Sequence, residues 1–208
     1  HKLRASYAEE LSQSVTAELE YLDMKGARVK VSAELKPDVN DYTANGADAV
    51  EFLIAANPGE ELKSMSKTAS GGELSRVMLA IKSELVGKMP AETVIFDEID
   101  TGVSGKTSEK IGIRLKKIAK DSQVFCITHA AQIAALAHSH LFISKAEKDG
   151  RNETSVRELD FEERVRECAR ITSGVNITEK QLEAAREKQH QENMDKYFGS
   201  PSKKIAWV

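Results

Sequence analysis

No stretch of the 208-residue sequence approaches the roughly 20 consecutive apolar residues that a membrane-spanning helix needs. Its first residues also lack the charged-then-apolar order of a secretory signal, so no membrane partner is expected and the cytoplasm is the expected location. Cysteine is scarce. Cys126 and Cys168 are the two, without the close spacing of a zinc or redox motif, and two reduced thiols are expected. A dominant charge is missing as well: 30 Lys and Arg against 33 Asp and Glu leave a net charge of −3. General attraction to nucleic acid or anionic lipid is thereby absent, and any contact with DNA requires a local basic patch or sequence outside this chain.

What is present suits a globular protein: 40% hydrophobic and 30% charged residues, mixed along a chain long enough for one core with appendages. Leu3, Tyr7, Leu11, Val15, Leu19 and Leu22 recur at the spacing of one helical face, and this helix opens without a cap, as if it continued an upstream structure. Two alternating segments, Val29 to Leu35 and Val50 to Ala56, read as antiparallel strands separated by a loop with Pro37 and Asn45-Gly46. Asn57-Pro58-Gly59-Glu60 stops the second. A helix follows Ser70-Gly71-Gly72, carrying Leu74, Val77, Met78, Ile81 and Leu85. Strands at Thr93 to Phe96, Val124 to Ile127 and Leu141 to Ser144 then alternate with helices at Thr107 to Lys120 and Ala130 to Ala137, the pattern of a parallel sheet covered by helices. A turn at Asp149-Gly150 leads to a strand near Thr154 to Leu159. Asp160 with Glu163 forms a capping box for a helix ending near Gly174, and a charged helix follows Thr178. The tail ending in Lys203, Lys204 and Trp207 carries no readable signal.

Three elements carry chemistry. The strand Thr93 to Phe96 delivers Asp97 and Glu98 to its C-terminal end, where open α/β sheets bind ligands. Asp97 suits a Mg²⁺ ion held through its water shell, and Glu98 suits an attacking water. Taken alone, the pair also reads as a solvated acidic loop. Ser70-Gly71-Gly72-Glu73 opens a helix with free N–H groups that favour an anionic oxygen, although Ser and Glu at that spacing also make an ordinary capping box. His129 ends a buried strand at the same sheet edge as Asp97 and Glu98, within reach of a terminal phosphate or in a purely structural role. His138 and His140 read as structural.

Together, in this order, the elements resemble the ATP-binding-cassette ATPases: Ser70 to Leu74 their signature loop, Val94 to Glu98 their Walker B strand, Asp100-Thr101-Gly102 their D-loop, His129 their switch histidine. The segments Val50 to Leu53, Asn57 to Gly59, Ala69 to Arg76, Ile95 to Gly105 and Thr128 to Ala137 are more specifically similar to bacterial DNA-repair relatives of the structural-maintenance-of-chromosomes (SMC) proteins.

That resemblance implies an α/β fold: the C-terminal half of a cassette-type ATPase head, with a parallel sheet flanked by helices, an antiparallel strand pair and a helical coiled-coil stub. Residues 1–25 would be the returning end of the arm, 26–175 the head lobe, and 176–208 a charged helix and tail. It also implies ATP and Mg²⁺ as ligands, with Glu98 and His129 catalytic and Asp97 toward the metal. Ser70, Gly71, Gly72 and Glu73 would bind the phosphate held by a second head, with Asp100 and Gly102 at the contact between heads. The N-terminal half of the head, a second head and DNA are the implied partners, and the isolated chain is expected to be inactive. A transporter subunit and a non-catalytic interaction module are the alternatives. Gly105-Lys106-Thr107 mimics the end of a phosphate-binding loop, but the position five before Gly105 is Asp100, where that loop requires glycine.

Overall fold

Helix α1 (Lys2–Tyr21) lies along the outer edge of strand β1 (Arg28–Leu35), and two hydroxyls show why. Ser12 Oγ accepts the Val31 N–H at 2.8 Å, and Thr16 Oγ1 accepts the Val29 N–H at 3.2 Å. Four helical residues rise about 6 Å and two strand residues about 6.8 Å, so this spacing lets hydroxyls one turn apart meet alternate N–H groups of a strand. The edge of β1 is closed by side chains instead of by another strand. The computed structural model describes residues 1–67, 71–88, 93–148, 150–174, 176–193 and 205–207, and the chain divides into two compact units, His1–Glu84 and Leu85–Val208.

In the first unit, β1 pairs antiparallel with β2 (Asp48–Ala55), which pairs with the short β3 (Lys63–Ser64). The register sets Val29 opposite Ile54 and Val31 opposite Phe52. Val29, Val31 and Ile54 are buried, as are Val15, Leu19 and Leu22 from the α1 segment. The expected apolar stripe of α1 is buried only in its C-terminal part: Leu3 and Tyr7 are 75% and 66% exposed, and the buried face runs through Ala8, Ser12, Val15 and Leu19. Helix α1, β1 and β2 belong to one unit. Gly26 explains the wording of the Asn57-Pro58-Gly59 turn. A Cβ at Gly26, whose φ is +79°, would lie 2.4 Å from the Pro58 ring, and the turn is closed by Asn57 Nδ2 donating to Glu60 at 2.8 Å. Those bonds from Asn57 hold the Glu60 carboxyl below its ordinary range. Helix α2 (Gly71–Glu84) buries Val77, Leu79, Ala80 and Ile81 and packs on α1; Leu85, expected on its apolar face, lies beyond its end.

The second unit is built on a sheet of order β4-β5-β8-β6-β7, comprising β4 (Thr93–Phe96), β5 (Gln123–Cys126), β6 (Ser139–Lys148), β7 (Arg151–Glu158) and β8 (Ile205–Trp207). Strands β4, β5, β8 and β6 are parallel neighbours, and β6 and β7 form an antiparallel ribbon. The tail that gave no signal therefore supplies a strand inside the sheet. Helices α3 (Gly105–Ile118) and α4 (Ala131–Ala135) connect the strands, and α5 (Phe161–Ser173) carries the expected Asp160–Glu163 capping box. Helix α6 (Glu179–Asn193) packs on α5 within this unit. His140 is buried, and burial with the adjacent Arg164 lowers its pKa, as befits an interior histidine. The described residues contain no helix long and apolar enough to cross a membrane.

Candidate functional site

Strands β4 and β5 end together. Phe96 is registered with Cys126, the Ile127 N–H donates to Phe96 O at 2.9 Å, and the chain beyond each strand emerges at one sheet edge. Asp97 and Glu98 leave β4 exposed, while Thr128 and His129 leave β5 beside them. The β4 exit turns at once: Thr101 N–H donates to Glu98 O at 3.1 Å, and Glu98 has φ +53°, a left-handed conformation that a residue with a Cβ adopts at a cost of about 1–3 kcal/mol. Ile99, fully buried, anchors the turn, and Gly102 completes it at φ +72°. The strained residue is the one whose carboxylate is proposed for water activation.

Asp100, which the family resemblance implies at a contact between heads, is buried within this chain. Its side chain is 1% exposed, and one oxygen, Oδ2, accepts from Thr128 Oγ1 at 2.6 Å and from the His129 backbone N–H at 2.9 Å, with His129 Nδ1 at 3.2 Å. The His129 ring itself is 77% exposed. Burial, then the charges of Asp100 and Asp97, push the Cys126 thiol well above its ordinary range, so this cysteine stays protonated beneath the site. Thr128 is the site residue that the motifs did not single out; the only trace is a hydroxyl next to the histidine at a strand end.

The donors present fit a magnesium ion held mainly by water and phosphate. Among the described residues no group of three or more His, Cys, Asp or Glu converges as a protein cage, and Asp97 offers hard carboxylate oxygen at the sheet edge. Gly105-Lys106-Thr107 begins α3 as an ordinary helix start. Ser104 caps it by accepting the Thr107 N–H at 3.3 Å, the Thr107 hydroxyl lies 3.0 Å from Ser104 Oγ, and Thr107 is buried.

Glycines Gly71 and Gly72 begin α2 in the first unit, with Gly71 exposed and Glu73 in the first turn. Ser70 lies outside the described residues. Arg76, one turn on, is buried; burial lowers its pKa, and the charge of Glu73 opposes that shift.

The DNA repair protein RecN of Vibrio cholerae is 41% identical to this chain over 187 residues, 90% of the chain and 33% of the relative, and that of Bacillus subtilis is 44% identical over 190 residues, 86% and 33%. The chain resembles RecN. It spans about a third of the length of these RecN proteins. No family model matches it. Among solved structures, the Smc head domain with a coiled coil and joint from Pyrococcus yayanosii superposes with a TM-score of 0.55 at 19% identity, covering 82% of this chain and 30% of that one. The Smc head domain of Pyrococcus furiosus, bound to the C-terminal domain of ScpA, gives 0.52 at 21%, covering 82% and 39%. The RecN-like chain thus has an α/β fold shared with SMC heads.

Proposed function

We propose that this chain is the C-terminal part of the ATPase head of an SMC-like DNA-repair protein of the RecN kind, acting in the cytoplasm on DNA double-strand breaks. ATP would be hydrolysed in a composite site. The phosphate-gripping loop would come from an N-terminal part of the same head, and Ser70, Gly71, Gly72 and Glu73 would reach the terminal phosphate of ATP held by a second head. Helix α1 would continue into a coiled-coil arm, and DNA would be a partner of the whole protein. The observation that carries the reading is the pairing of Asp97-Glu98 with Thr128-His129 at one end of two adjacent parallel strands, in a chain more than 40% identical to DNA repair proteins.

The chemistry follows from the chain's own groups. Glu98 accepts a hydrogen bond from the attacking water and holds it in line with the terminal phosphorus, taking its proton as the P–O bond to ADP breaks. His129, exposed beside it, contacts the terminal phosphate oxygens. A magnesium ion at Asp97 would supply charge neutralisation on the phosphates. The exposed apolar side chains Ile95 and Ile127, 66% and 41% exposed, suit coverage by the N-terminal part of the head.

ATP hydrolysis by this chain alone, and mixed with the N-terminal segment of a RecN protein, tests the reading. Activity is expected only in the mixture, and Glu98→Gln should lower kcat there by at least about a hundredfold. Hydrolysis by the chain alone that survived Glu98→Gln and vanished with Lys106→Ala would replace the reading with a phosphate loop at Gly105-Lys106-Thr107.

A further inference from the structure

Strand β7 ends the sheet of the second unit on the side away from β4, and each of its 8 residues is exposed. We propose that this edge pairs antiparallel with the β7 edge of a second copy of the chain, about a twofold axis through Ser155. The contact needs neither nucleotide nor the N-terminal part of the head. Edges that resist pairing are short, bulged, interrupted by proline or charged with one sign. β7 is none of these. Its register with β6 runs unbroken from Arg151 opposite Lys148 to Glu158 opposite Leu141, it contains no proline, and it carries Arg151 and Arg157 together with Glu153 and Glu158.

The backbone decides which residues face outward. Leu159 N–H donates to His140 O at 2.8 Å, and the β6–β7 register continues that pairing, so Arg151, Glu153, Ser155 and Arg157 turn their N–H and C=O groups toward β6. Asn152, Thr154, Val156 and Glu158 turn theirs away from the sheet. Two copies therefore pair only in registers that oppose outward residues to outward residues. An axis through Thr154 sets Arg151 against Arg157 of the second copy, which repels. An axis through Val156 leaves only Thr154 to Glu158 in the ladder. With the axis through Ser155, the ladder runs from Asn152 to Glu158 with about eight backbone hydrogen bonds, and Glu153 faces Arg157 of the second copy at both ends. Arg157 is already ordered for this role. It lies over the Phe142 ring at 5.7 Å and its Nη1 donates to Glu163 at 2.7 Å, while a guanidinium has further N–H groups for a second carboxylate. On the opposite face Val156, 56% exposed, meets Thr154 of the second copy.

Sedimentation equilibrium of the chain without nucleotide, over roughly 5–200 µM, should show a monomer–dimer equilibrium with a Kd on the order of 10 µM, as befits a small edge-to-edge contact. A wild type that stays monomeric throughout overturns the proposal. Val156→Pro removes an N–H that β6 does not use; it should abolish the dimer and leave the circular dichroism unchanged. A dimer that survives Val156→Pro and vanishes with Ile95→Lys lies at β4 instead, which also overturns the proposal. Glu153→Arg and Arg157→Glu should each weaken association by about thirtyfold, since each sets like charges opposite one another at both ends. An equimolar mixture of the two variants should dimerise again, because every facing pair then has opposite signs, and no recovery between folded variants counts against the register. Ser155→Cys reads the axis directly and independently of those charges. Facing residues of a non-hydrogen-bonded pair stand about 4.5 Å apart, so two copies should cross-link on mild oxidation, whereas Cys126 and Cys168 are buried. Absence of that cross-link would overturn the pairing about Ser155.

Discussion

The outer edges of β1 and β4 are treated in opposite ways. β1 closes its edge from within the chain, with Ser12 and Thr16 of α1 taking the N–H groups of Val31 and Val29. β4 ends its sheet with no strand beyond it among the described residues, and its Ile95 is 66% exposed. An edge strand with an exposed apolar side chain is a template for pairing, whereas one capped by hydroxyls is finished. The first unit thus seals the strand beside its helix, while the second leaves open the strand that carries Asp97 and Glu98. The proposed site residues, standing on an unfinished edge, are placed to respond to whatever completes it.

The largest effect that would sharpen this contrast is at the open edge. Ile95→Lys should weaken binding of the N-terminal segment of a RecN protein by about a hundredfold, from the lost burial of one large aliphatic side chain, measured by titration calorimetry. The thermal midpoint of the chain itself should not move, and a fall in it would mean that Ile95 already serves this chain's own packing. At the closed edge, Ser12→Val strands the buried Val31 N–H and should cost about 1–3 kcal/mol in urea unfolding. No loss there would remove the hydroxyl seal from the account of β1. Glu98→Gly releases the left-handed strain beside the open edge and should raise stability by up to about 1 kcal/mol while abolishing hydrolysis, so stability and activity move in opposite directions. Smallest is Thr16→Val, whose contacts of 3.2 and 3.4 Å to Val29 are long; less than about 1 kcal/mol is expected.

Much of the fold was legible because its signals are periodic or local. Alternation marked β1 and β2, short apolar runs marked β4 and β5, and the Asp160–Glu163 capping box marked the start of α5. Ser12 and Thr16 were not legible as an edge seal, since a hydroxyl on a helix reads as a solvent-facing polar residue until the strand beside it is known. β6 and β7 extend past their expected bounds, to Lys148 and back to Arg151, because the far part of the ribbon is polar and exposed and so lacks the one-sided pattern that marks a half-buried strand. At the site, the motif wording located Asp97, Glu98 and His129 on the correct elements. The partners of Asp100 depend on a contact spanning 28 and 29 residues of sequence, which no local pattern encodes.

Strand β8 sets the timetable of folding. It lies between β5 and β6, pairing in parallel with both, so the sheet of the second unit cannot close until residues 205–207 have left the ribosome. Parallel pairing at such sequence separation forms slowly, because loop-closure entropy is lost before contacts repay it. During synthesis β4 and β5 wait as one pair and β6 and β7 as another, each with a bare inner edge, which makes the nascent second unit a candidate for chaperone protection.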